Sequence, residues 1–335
     1  MQTVLVTGYG GFLGAAVTRK LLSAGYRVRG LARGHYPELA RLGVDARRGD
    51  ITDRRSVADA VTGCQAVIHT AARAGVWGSW SDYYSSNTLA TSWLLETAVS
   101  AKCDAFVFTS SPSVTFAAVD QSGIDESTAY PERWLCHYPH TKALAEQAVL
   151  AAARSGALRG CSLRPHLIWG EGDPHLMPRV VSRAKSGKLK RVGSGTNLID
   201  IVHVDNAAQA HLLALERLLA DDQAVNGQAF FITDGAPLEC WEWLSKILYA
   251  ADVPVPTAAI SYRAAYRLGA ALEAAYRLAR IDSEPPMTRF VAAQLALDHY
   301  FSIDKARRLL NYQPDQDRER PLAACASWLR RANNG

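Results

Sequence analysis

The sequence lacks a long uncharged apolar run. Among its 335 residues, no window of about eighteen is free of charged and strongly polar side chains, which argues against a membrane-spanning helix. A secretory leader is not expected either, because the first predicted strand already begins at Thr3. We therefore expect a cytoplasmic protein. The arginine-interrupted apolar stretch 262–280 indicates an amphipathic helix that packs on the protein or, as an alternative, makes a peripheral contact with a membrane surface.

Cysteine is scarce and dispersed. The six cysteines include no CxxC pair, which indicates reduced thiols rather than a disulfide framework. Cys136, His137 and His140 lie close in sequence, but their spacing matches no complete zinc site, so no metal is predicted. Basic residues are dispersed as well. The net charge is +5, with short pairs such as Arg47-Arg48, which argues against nucleic-acid binding.

Strand and helix patterns alternate in the first half of the chain. This rhythm predicts an α/β fold of Rossmann type, with a doubly wound parallel sheet. After Gly170 the rhythm breaks, and from Pro237 the pattern is mostly helical. We predict a dinucleotide-binding domain over 1–168, to which 196–234 returns, and a smaller, mostly helical substrate-binding lobe over 169–195 and 235–335. The predicted strands are 3–7, 27–32, 66–71, 105–110, 161–169, 199–204 and 229–233, and the predicted helices include 88–101 and 141–154.

A glycine-rich turn follows the first predicted strand and precedes the first predicted helix. Gly8 permits the tight turn, Gly11 lets the backbone approach a pyrophosphate, and Gly14 allows close packing of helix and strand. The phosphates are expected at the helix N-terminus, beside Phe12 and Leu13, where free N–H groups favour anions. Because this pattern lies between a strand and a helix, it predicts a dinucleotide site rather than an ordinary turn.

The end of the second strand indicates which dinucleotide is bound. An NAD site normally has a carboxylate there, whereas this chain has Arg33, which is suited to pair with a 2′-phosphate. We therefore predict a preference for NADP(H), with NAD(H) as the alternative in which Arg33 is only a surface charge. Asp50, followed by Ile51, comes after a third predicted strand. It is placed either to bind the adenine amino group or to cap the next helix.

Tyr138 is the one tyrosine with a lysine four residues later, Lys142. On a helix these two side chains share a face, so the ammonium can lower the pKa of the phenol and bind the nicotinamide ribose. The tyrosine then serves as general acid toward a ketone or general base toward an alcohol. Ser111, at the end of the preceding strand, can steady the same substrate oxygen. Asn87 is expected either to hold a water of a proton relay or to cap a helix.

These residues together resemble the extended short-chain dehydrogenase/reductase family. The strand end at 69–72 and the segments 163–165 and 169–173 also match. The resemblance covers nearly the whole chain. It implies an enzyme, an NAD(P)-dependent oxidoreductase with a Ser–Tyr–Lys mechanism and hydride transfer at nicotinamide C4. It also implies that Ala71, Lys142 and Pro165 lie at the cofactor, and a homodimer is a family expectation.

Within that family the chain is most similar to the 3β-hydroxysteroid dehydrogenase branch. Segments 109–116, 164–166, 173–178, 197–200 and 204–206 resemble decarboxylating sterol-4-carboxylate 3-dehydrogenases. The same segments, with 74–78, resemble 2-alkyl-3-oxoalkanoate reductases. Both groups act on an oxygen β to a carboxylate in a large apolar molecule, so the resemblance implies a bulky lipid or sterol 3-hydroxy or 3-oxo acid. The candidate substrate residues are Trp77, Ser113, His166 and Asn197.

Two other functions fit parts of the pattern. A nucleotide-sugar epimerase or dehydratase uses the same three catalytic groups with a retained NAD, but Arg33 and the apolar lobe disfavour it. A non-catalytic NADPH-sensing protein keeps the fold and typically loses the catalytic residues, which are intact here. The sequence leaves open the choice between sterol and long-chain acyl substrates, the direction of the reaction, and whether decarboxylation accompanies oxidation.

Overall fold

The computed structural model describes residues 2–334 of the chain, and the side chains of residues 2–331. Met1 and Gly335, which the predicted domain ranges include, lie outside the described residues. The described strands are β1 (Thr3–Thr7), β2 (Arg27–Ala32), β3 (Asp45–Arg48), β4 (Ala66–His69), β5 (Ala105–Thr109), β6 (Gln121–Ile124), β7 (Arg159–Pro165), β8 (Ile168–Trp169), β9 (Arg191–Val192), β10 (Leu198–Ile199), β11 (Val202–His203), β12 (Ala229–Ile232), β13 (Leu238–Glu239), β14 (Ala259–Ile260) and β15 (His299–Phe301).

The helices cover most of the remaining chain. A π-helical turn, Tyr84–Leu89, joins α4 to α5, and a 3-10 turn, Pro112–Thr115, follows β5. The described α-helices are α1 (Phe12–Ser23), α2 (Pro37–Arg41), α3 (Arg54–Val61), α4 (Trp80–Tyr83), α5 (Ala90–Ser100), α6 (His137–Arg154), α7 (Leu176–Lys185), α8 (Val204–Leu219), α9 (Cys240–Ala250), α10 (Tyr262–Leu278), α11 (Arg289–Ala296), α12 (Asp304–Leu310) and α13 (Glu319–Asn334). None of the helices within residues 2–334 has the length and apolarity needed to cross a bilayer.

The central sheet is parallel, and its inner strands are buried on both faces whereas the edge strand β3 is exposed. Its seven strands run in the order β12-β7-β5-β4-β1-β2-β3, and every pairing between neighbours is parallel. Side chains alternate between the two faces, so Val4 and Val6 of β1 join one core cluster and Leu5 joins the other. Helices α1 and α8 cover the first face, and α3, α5 and α6 cover the second. The predicted Rossmann fold class is confirmed.

The strand order reverses between β1 and β4. The connecting segments that follow β1 and β4 lead away in opposite directions there. This leaves a crevice at the carboxyl edge of the sheet. The β1–α1 glycine turn and the segment after β4 both lie at this point. In sheets of this type a dinucleotide binds across such a crevice.

Most predicted boundaries agree with the structure, but two predicted strands are wrong in part. The prediction over 161–169 fails because Leu167 has a positive φ of 43°, which ends β7 at Pro165 and turns Ile168–Trp169 toward β11. The prediction over 199–204 also splits into two short strands, and neither belongs to the central sheet. The segment 229–233 does rejoin that sheet, as β12 beside β7.

The second half of the chain builds a smaller, mostly helical body with its own apolar cluster. Trp169 and Trp243 meet at its centre with ring centroids 4.8 Å apart. Helices α7, α9 and α13 pack around this pair. A four-stranded sheet in the order β13-β10-β15-β6 includes β6 from the first half of the chain, so the two halves share a sheet. The lobe is therefore interleaved with the Rossmann portion.

A buried ion pair joins α6 to the central sheet. Glu146 of α6 is fully buried, and it accepts hydrogen bonds from Nη2 of Arg164 on β7 at 2.6 Å and from Nε at 3.1 Å. Ser162 and Tyr130 also donate to this carboxylate, at 2.6 and 2.7 Å. The guanidinium and these hydrogen bonds hold the pKa of Glu146 below its usual value despite burial.

Replacement of one partner should leave an uncompensated buried charge. We expect Arg164→Met to lower the free energy of unfolding by about 3–5 kcal/mol, measured by urea denaturation. The exposed pair Lys246–Glu242, 2.7 Å apart, gives the control, since Lys246→Met should cost less than about 1 kcal/mol. The double variant Glu146→Leu/Arg164→Met should recover most of the loss. Equal costs for Arg164→Met and Lys246→Met would contradict this account of the pair.

Candidate functional site

The β1–α1 turn contains glycines that the local geometry requires. Gly8 has φ +68°, and a Cβ there would lie 3.1 Å from the backbone of Ala71. A Cβ on Gly14 would lie 2.0 Å from the Gly8 carbonyl oxygen, which no side chain can tolerate. At Gly11 an added Cβ meets only that same oxygen, at 3.2 Å. The turn is thus pressed against the end of β4, and the outer side of Gly11 is open.

Helix α1 begins at Phe12 with its first backbone N–H groups pointing toward the crevice. Among the residues that the structure describes, no side chain caps this helix, and its first turn, which includes Leu13, carries no acidic residue. Uncapped N–H groups and the positive end of the helix dipole favour a phosphate. These residues therefore fit the diphosphate of a dinucleotide cofactor.

Arg33 follows β2 and is directed into solvent. Its side chain is 83% exposed, and its guanidinium lies 4.0 Å from the Asp50 carboxylate. Arg48 lies beside it, because its Nε donates to the Arg33 carbonyl oxygen at 3.2 Å. Two guanidinium groups thus flank the position where the second strand would meet a cofactor ribose. No pattern in the sequence singles out Arg48, because its approach to Arg33 depends on the pairing of β2 with β3.

Asp50 is not a helix cap. Its Oδ1 accepts hydrogen bonds from the backbone N–H and the hydroxyl of Thr52, at 2.9 and 2.8 Å. Asp53 caps α3 instead, by accepting from the N–H groups of residues 55 and 56. Ile51 packs on the core beneath α3. The capping alternative for Asp50 is therefore wrong, and its second carboxylate oxygen faces Arg33.

Tyr138 and Lys142 lie on successive turns at the start of α6, which begins at His137. Ser111 follows β5, and its side chain lies close enough to the Tyr138 phenol to lower the pKa of that phenol. Ser113 lies beside this pair, with its Oγ 2.8 Å from Ser111 Oγ. The structure thus brings one candidate substrate residue and two candidate catalytic residues together at the carboxyl edge of the sheet. The helix predicted over 141–154 starts one turn earlier than expected.

Burial shifts the pKa values of both residues on α6. It raises the pKa of Tyr138 to about 12, and the Ser111 side chain opposes that rise. It also lowers the pKa of Lys142 to about 7. The Lys142 Nζ donates to the Thr109 carbonyl oxygen at 2.5 Å and lies 4.0 Å from the centroid of the Phe108 ring. The expectation that Lys142 lowers the pKa of the phenol is not met, because its ammonium is directed at the end of β5.

Asn87 lies inside a continuous helical segment rather than at a helix start. Helix α4, the π-helical turn and α5 run together from Trp80, so the predicted start at Thr88 is too late and the capping alternative is wrong. The Asn87 Oδ1 accepts from the Arg73 N–H at 2.7 Å, and its Nδ2 donates to the Arg73 carbonyl at 3.0 Å and to the Thr141 hydroxyl at 3.2 Å. Its side chain therefore ties α6 to the segment after β4.

The other candidate substrate residues contact the lobe. Trp77 donates from its indole to the Ile281 carbonyl oxygen at 3.3 Å. His166, one residue after Pro165, lies 2.7 Å from a ring nitrogen of His299. Asn197 donates to the Leu297 carbonyl oxygen at 2.9 Å. Among the residues that the structure describes, none of these three side chains forms a hydrogen bond with Ser111 or Tyr138.

Two residues near the site, Glu146 and Thr141, were not predicted from the sequence. Glu146 lies one turn beyond Lys142 and raises its pKa through its charge, against the effect of burial. The Lys-to-Glu spacing of four residues is a helical ion-pair signal that could have found it. Thr141, which joins Asn87 to the Tyr138 carbonyl at 3.0 Å, offers no such signal. Within residues 2–334, no group of three or more His, Cys, Asp or Glu side chains is arranged to hold a metal ion.

Comparison with known proteins gives three similarities. The model of the 3-beta hydroxysteroid dehydrogenase/isomerase family matches residues 5–260. The chain is 44% identical over 313 residues to a 2-alkyl-3-oxoalkanoate reductase of Shewanella oneidensis, which covers 92% of this chain and 81% of that protein. It is 32% identical over 316 residues to a decarboxylating sterol-4-alpha-carboxylate 3-dehydrogenase of Mus musculus, which covers 92% and 86%.

Solved structures show the same architecture. MoeE5 in complex with UDP-glucuronic acid and NAD superposes with a TM-score of 0.74 at 25% identity. The alignment covers 98% of this chain and 99% of that one. The shared fold therefore extends over the lobe as well as the Rossmann portion.

The buried amine of Lys142 should make stability depend on pH. Above about pH 7 the folded protein has released this proton and the unfolded chain still holds it, so a rise in pH favours folding by up to about 1.4 kcal/mol per unit. Lys142→Met lacks this contribution. We expect the unfolding free energy of the wild type, minus that of Lys142→Met, to rise between about pH 7 and pH 9 in cofactor-free protein. For the exposed Lys246→Met, the wild-type unfolding free energy minus that of the variant should not change with pH. If this difference is independent of pH for Lys142→Met as well, the effect of burial on Lys142 is refuted.

Proposed function

The chain belongs to the 3-beta hydroxysteroid dehydrogenase/isomerase family of NAD(P)-dependent oxidoreductases, and from this we propose that it reduces 2-alkyl-3-oxoalkanoates with NADPH. The observation that carries the substrate class is the 44% identity to a reductase named for that reaction, against 32% to a sterol dehydrogenase. The substrate is a ketone β to a carboxylate with two alkyl branches. The product is the corresponding 3-hydroxy acid.

Tyr138 and Ser111 are proposed to act on the ketone oxygen. The neutral phenol, with its pKa raised to about 12, holds a proton at neutral pH and can donate it to an oxygen that gains negative charge. The Ser111 hydroxyl lies on the same side of the crevice as the phenol and acts on its pKa, so it can donate a hydrogen bond to the ketone oxygen and reduce the charge there. A nicotinamide cofactor, when bound at the glycine turn, would supply the hydride that the carbonyl carbon needs. The ketone thus gains a hydride on carbon and the Tyr138 proton on oxygen.

Lys142 is proposed to position the reacting groups. Its hydrogen bond to the Thr109 carbonyl holds α6 against the end of β5, which sets the distance between Tyr138 and Ser111. The amine lies in the second turn of α6, where a cofactor ribose hydroxyl could replace Thr109 as its acceptor. Protonated Lys142 would then stabilise the phenolate that remains after proton donation.

The arginines after β2 and on β3 support NADPH as the cofactor. Arg33 is exposed and makes only a 4.0 Å contact with Asp50, so its guanidinium is available to a 2′-phosphate. Arg48 adds a second positive charge beside it. An arginine and a phosphate form charge-assisted hydrogen bonds in bidentate geometry.

Two other functions remain as outcomes of the tests. The second candidate function is oxidation of a 3β-hydroxy 4-carboxysterol, which the 32% identity to the mouse dehydrogenase suggests. A nucleotide-sugar enzyme is suggested by the likeness to MoeE5 at 25% identity. The intact Ser111, Tyr138 and Lys142 argue against a non-catalytic NADPH sensor.

Parallel incubations should identify the substrate class. We expect a 2-alkyl-3-oxoalkanoate with NADPH to give its 3-hydroxy acid by mass spectrometry. A 3β-hydroxy 4-carboxysterol with NAD or NADP should give little product. Conversion of the sterol alone would assign the other branch of the family, and conversion of a UDP-sugar alone would assign the nucleotide-sugar reaction.

Tyr138→Phe should lower kcat by about 10²–10⁴-fold, since it removes the proton donor and leaves the ring in place. The Kd for NADPH should stay unchanged, which separates loss of catalysis from loss of folding. Tyr249→Phe is the matched control, because Tyr249 is 71% exposed on α9. Turnover of Tyr138→Phe at the rate of the control would remove Tyr138 as the acid.

Arg33→Gln should weaken NADPH selectively. Loss of a charged hydrogen bond costs about 1.5–3 kcal/mol, so kcat/KM with NADPH should fall by about 10–100-fold while kcat/KM with NADH changes little. Arg27→Gln, at the exposed opposite end of β2, removes the same charge and should leave both values unchanged. A wild-type enzyme that uses NADH better than NADPH would contradict the cofactor assignment.

A further inference from the structure

His69 lies in a chain of buried hydrogen bonds beneath the candidate site. It is the last residue of β4, and its side chain is only 1% exposed. The Nδ1 of its ring lies 2.6 Å from the hydroxyl of Thr7, the last residue of β1 before the glycine turn. The Nε2 lies 2.9 Å from the hydroxyl of Thr91 on α5. One imidazole ring therefore joins the strand before the glycine turn to the helix that follows Asn87.

The hydrogen bonds beyond Thr91 continue to the proposed proton donor. The Thr91 hydroxyl donates to the Asn87 carbonyl oxygen at 2.6 Å. The Asn87 amide donates to the Thr141 hydroxyl at 3.2 Å, and that hydroxyl donates to the Tyr138 carbonyl oxygen at 3.0 Å. The side chains of Thr91, Asn87 and Thr141 are all buried. The chain of hydrogen bonds thus extends from the end of β1 to the first turn of α6.

The directions of these hydrogen bonds leave one tautomer for His69. The Asn87 carbonyl can only accept, so the single Thr91 hydroxyl proton points to it, and the Thr91 oxygen must accept from His69 Nε2. A neutral imidazole with its proton on Nε2 has an acceptor at Nδ1, to which Thr7 donates. The Thr7 oxygen in turn accepts from the Ala71 backbone N–H at 3.3 Å. His69 is therefore neutral, with its proton on Nε2.

The surroundings of the His69 ring disfavour its charged form. A ring with protons on both nitrogens would donate to Thr7 as well, and the Thr7 hydroxyl proton would lose its acceptor. The centroids of the His69 and Phe108 rings lie 5.7 Å apart, and Lys142 Nζ lies 4.0 Å from the Phe108 centroid. Burial and the charge of Lys142 lower the pKa of His69 to about 3. The ring is thus neutral at neutral pH.

We propose that His69, in its Nε2–H form, is a positioning residue that couples the β1–α1 glycine turn to Tyr138. The inference rests on the proposed function, because it takes the glycine turn as the cofactor site and Tyr138 as the proton donor. Thr7 immediately precedes the turn, so its hydrogen bond to His69 fixes the start of that turn. Because His69 is buried, it acts through its neighbours and does not touch a ligand. The coupling keeps the hydride donor and the proton donor at one spacing, on which the rate depends.

Nitrogen-15 NMR of the full-length protein tests the tautomer. The two tautomers of a neutral imidazole differ in which ring nitrogen has a bound proton, and spectra that correlate ring nitrogens with ring protons distinguish them. The signal is assigned with His69→Gln, which removes one of the nine histidines. We expect the Nε2–H form, unchanged between about pH 8 and pH 5, where an unperturbed histidine changes its charge. The Nδ1–H form, or protonation of His69 within this range, would overturn the proposal.

Variants of Thr91 test the coupling. Thr91 is fully buried, so it cannot touch cofactor or substrate, and valine keeps its shape without the hydroxyl. We expect Thr91→Val to raise the Kd of NADPH by about fivefold or more and to lower kcat by about tenfold or more. Thr91→Ser, which keeps the hydroxyl, should restore both values. The control is Thr97→Val on the same helix, which removes a hydroxyl that donates to the Trp93 carbonyl at 2.7 Å and should change neither value.

The two measured quantities separate this inference from the proposed function. The Kd of NADPH is measured without a ketone, so it reports on the coupling even if the proposed reaction is wrong. If no ketone is reduced, but Thr91→Val weakens NADPH binding and Thr91→Ser restores it, the proposed function fails and the coupling to the glycine turn stands. If Thr91→Val lowers the free energy of unfolding in urea and leaves Kd and kcat at the values of Thr97→Val, His69 only stabilises the fold and the proposal fails.

Discussion

The contact between Lys142 and the end of β5 determines the geometry of the site. A buried amine gives up its hydration, and here the Thr109 carbonyl at 2.5 Å and the Phe108 ring replace it. Because this contact joins the second turn of α6 to the carboxyl edge of the sheet, the first turn brings Tyr138 to Ser111. The Glu146–Arg164 pair fixes the next turn of the same helix to β7. Three successive turns of one helix are thus tied to adjacent strands.

Much of the Rossmann portion follows from local pattern. The continuous apolar run of β1 predicted that strand to the residue, because a strand buried on both faces needs no polar alternation. The structural roles of the glycines in the β1–α1 turn were predictable, because only glycine tolerates a positive φ and a close approach of backbone atoms. In the strand predicted over 161–169, a single residue decided the outcome against the pattern. Leu167, with its positive φ, ended a strand that its apolar neighbours would have continued.

The site itself was predictable only where sequence neighbours form it. Tyr138 and Lys142 share a helix, so their spacing was enough. Asn87 and Asp50 were ambiguous, because each is a residue type that caps helices, and tertiary partners decided their roles. Asn87 forms hydrogen bonds with Arg73 and Thr141, which lie in distant segments of the chain. The residue that caps α3 is Asp53 and not Asp50. Charge was the least predictable property. Arg33 and Arg48 come together only in the fold, where the pairing of β2 with β3 brings them beside the crevice.

The central claim is that this chain moves a hydride and a proton to one ketone, with Tyr138 as the proton donor. The most direct measurement uses NADPH deuterated at the transferable C4 position with a 2-alkyl-3-oxoalkanoate. The account predicts a 3-hydroxy acid that carries deuterium on C3, formed by the wild type and at a strongly reduced rate by Tyr138→Phe. A 3-hydroxy acid without deuterium on C3, or the labelled product at an undiminished rate from Tyr138→Phe, would contradict it.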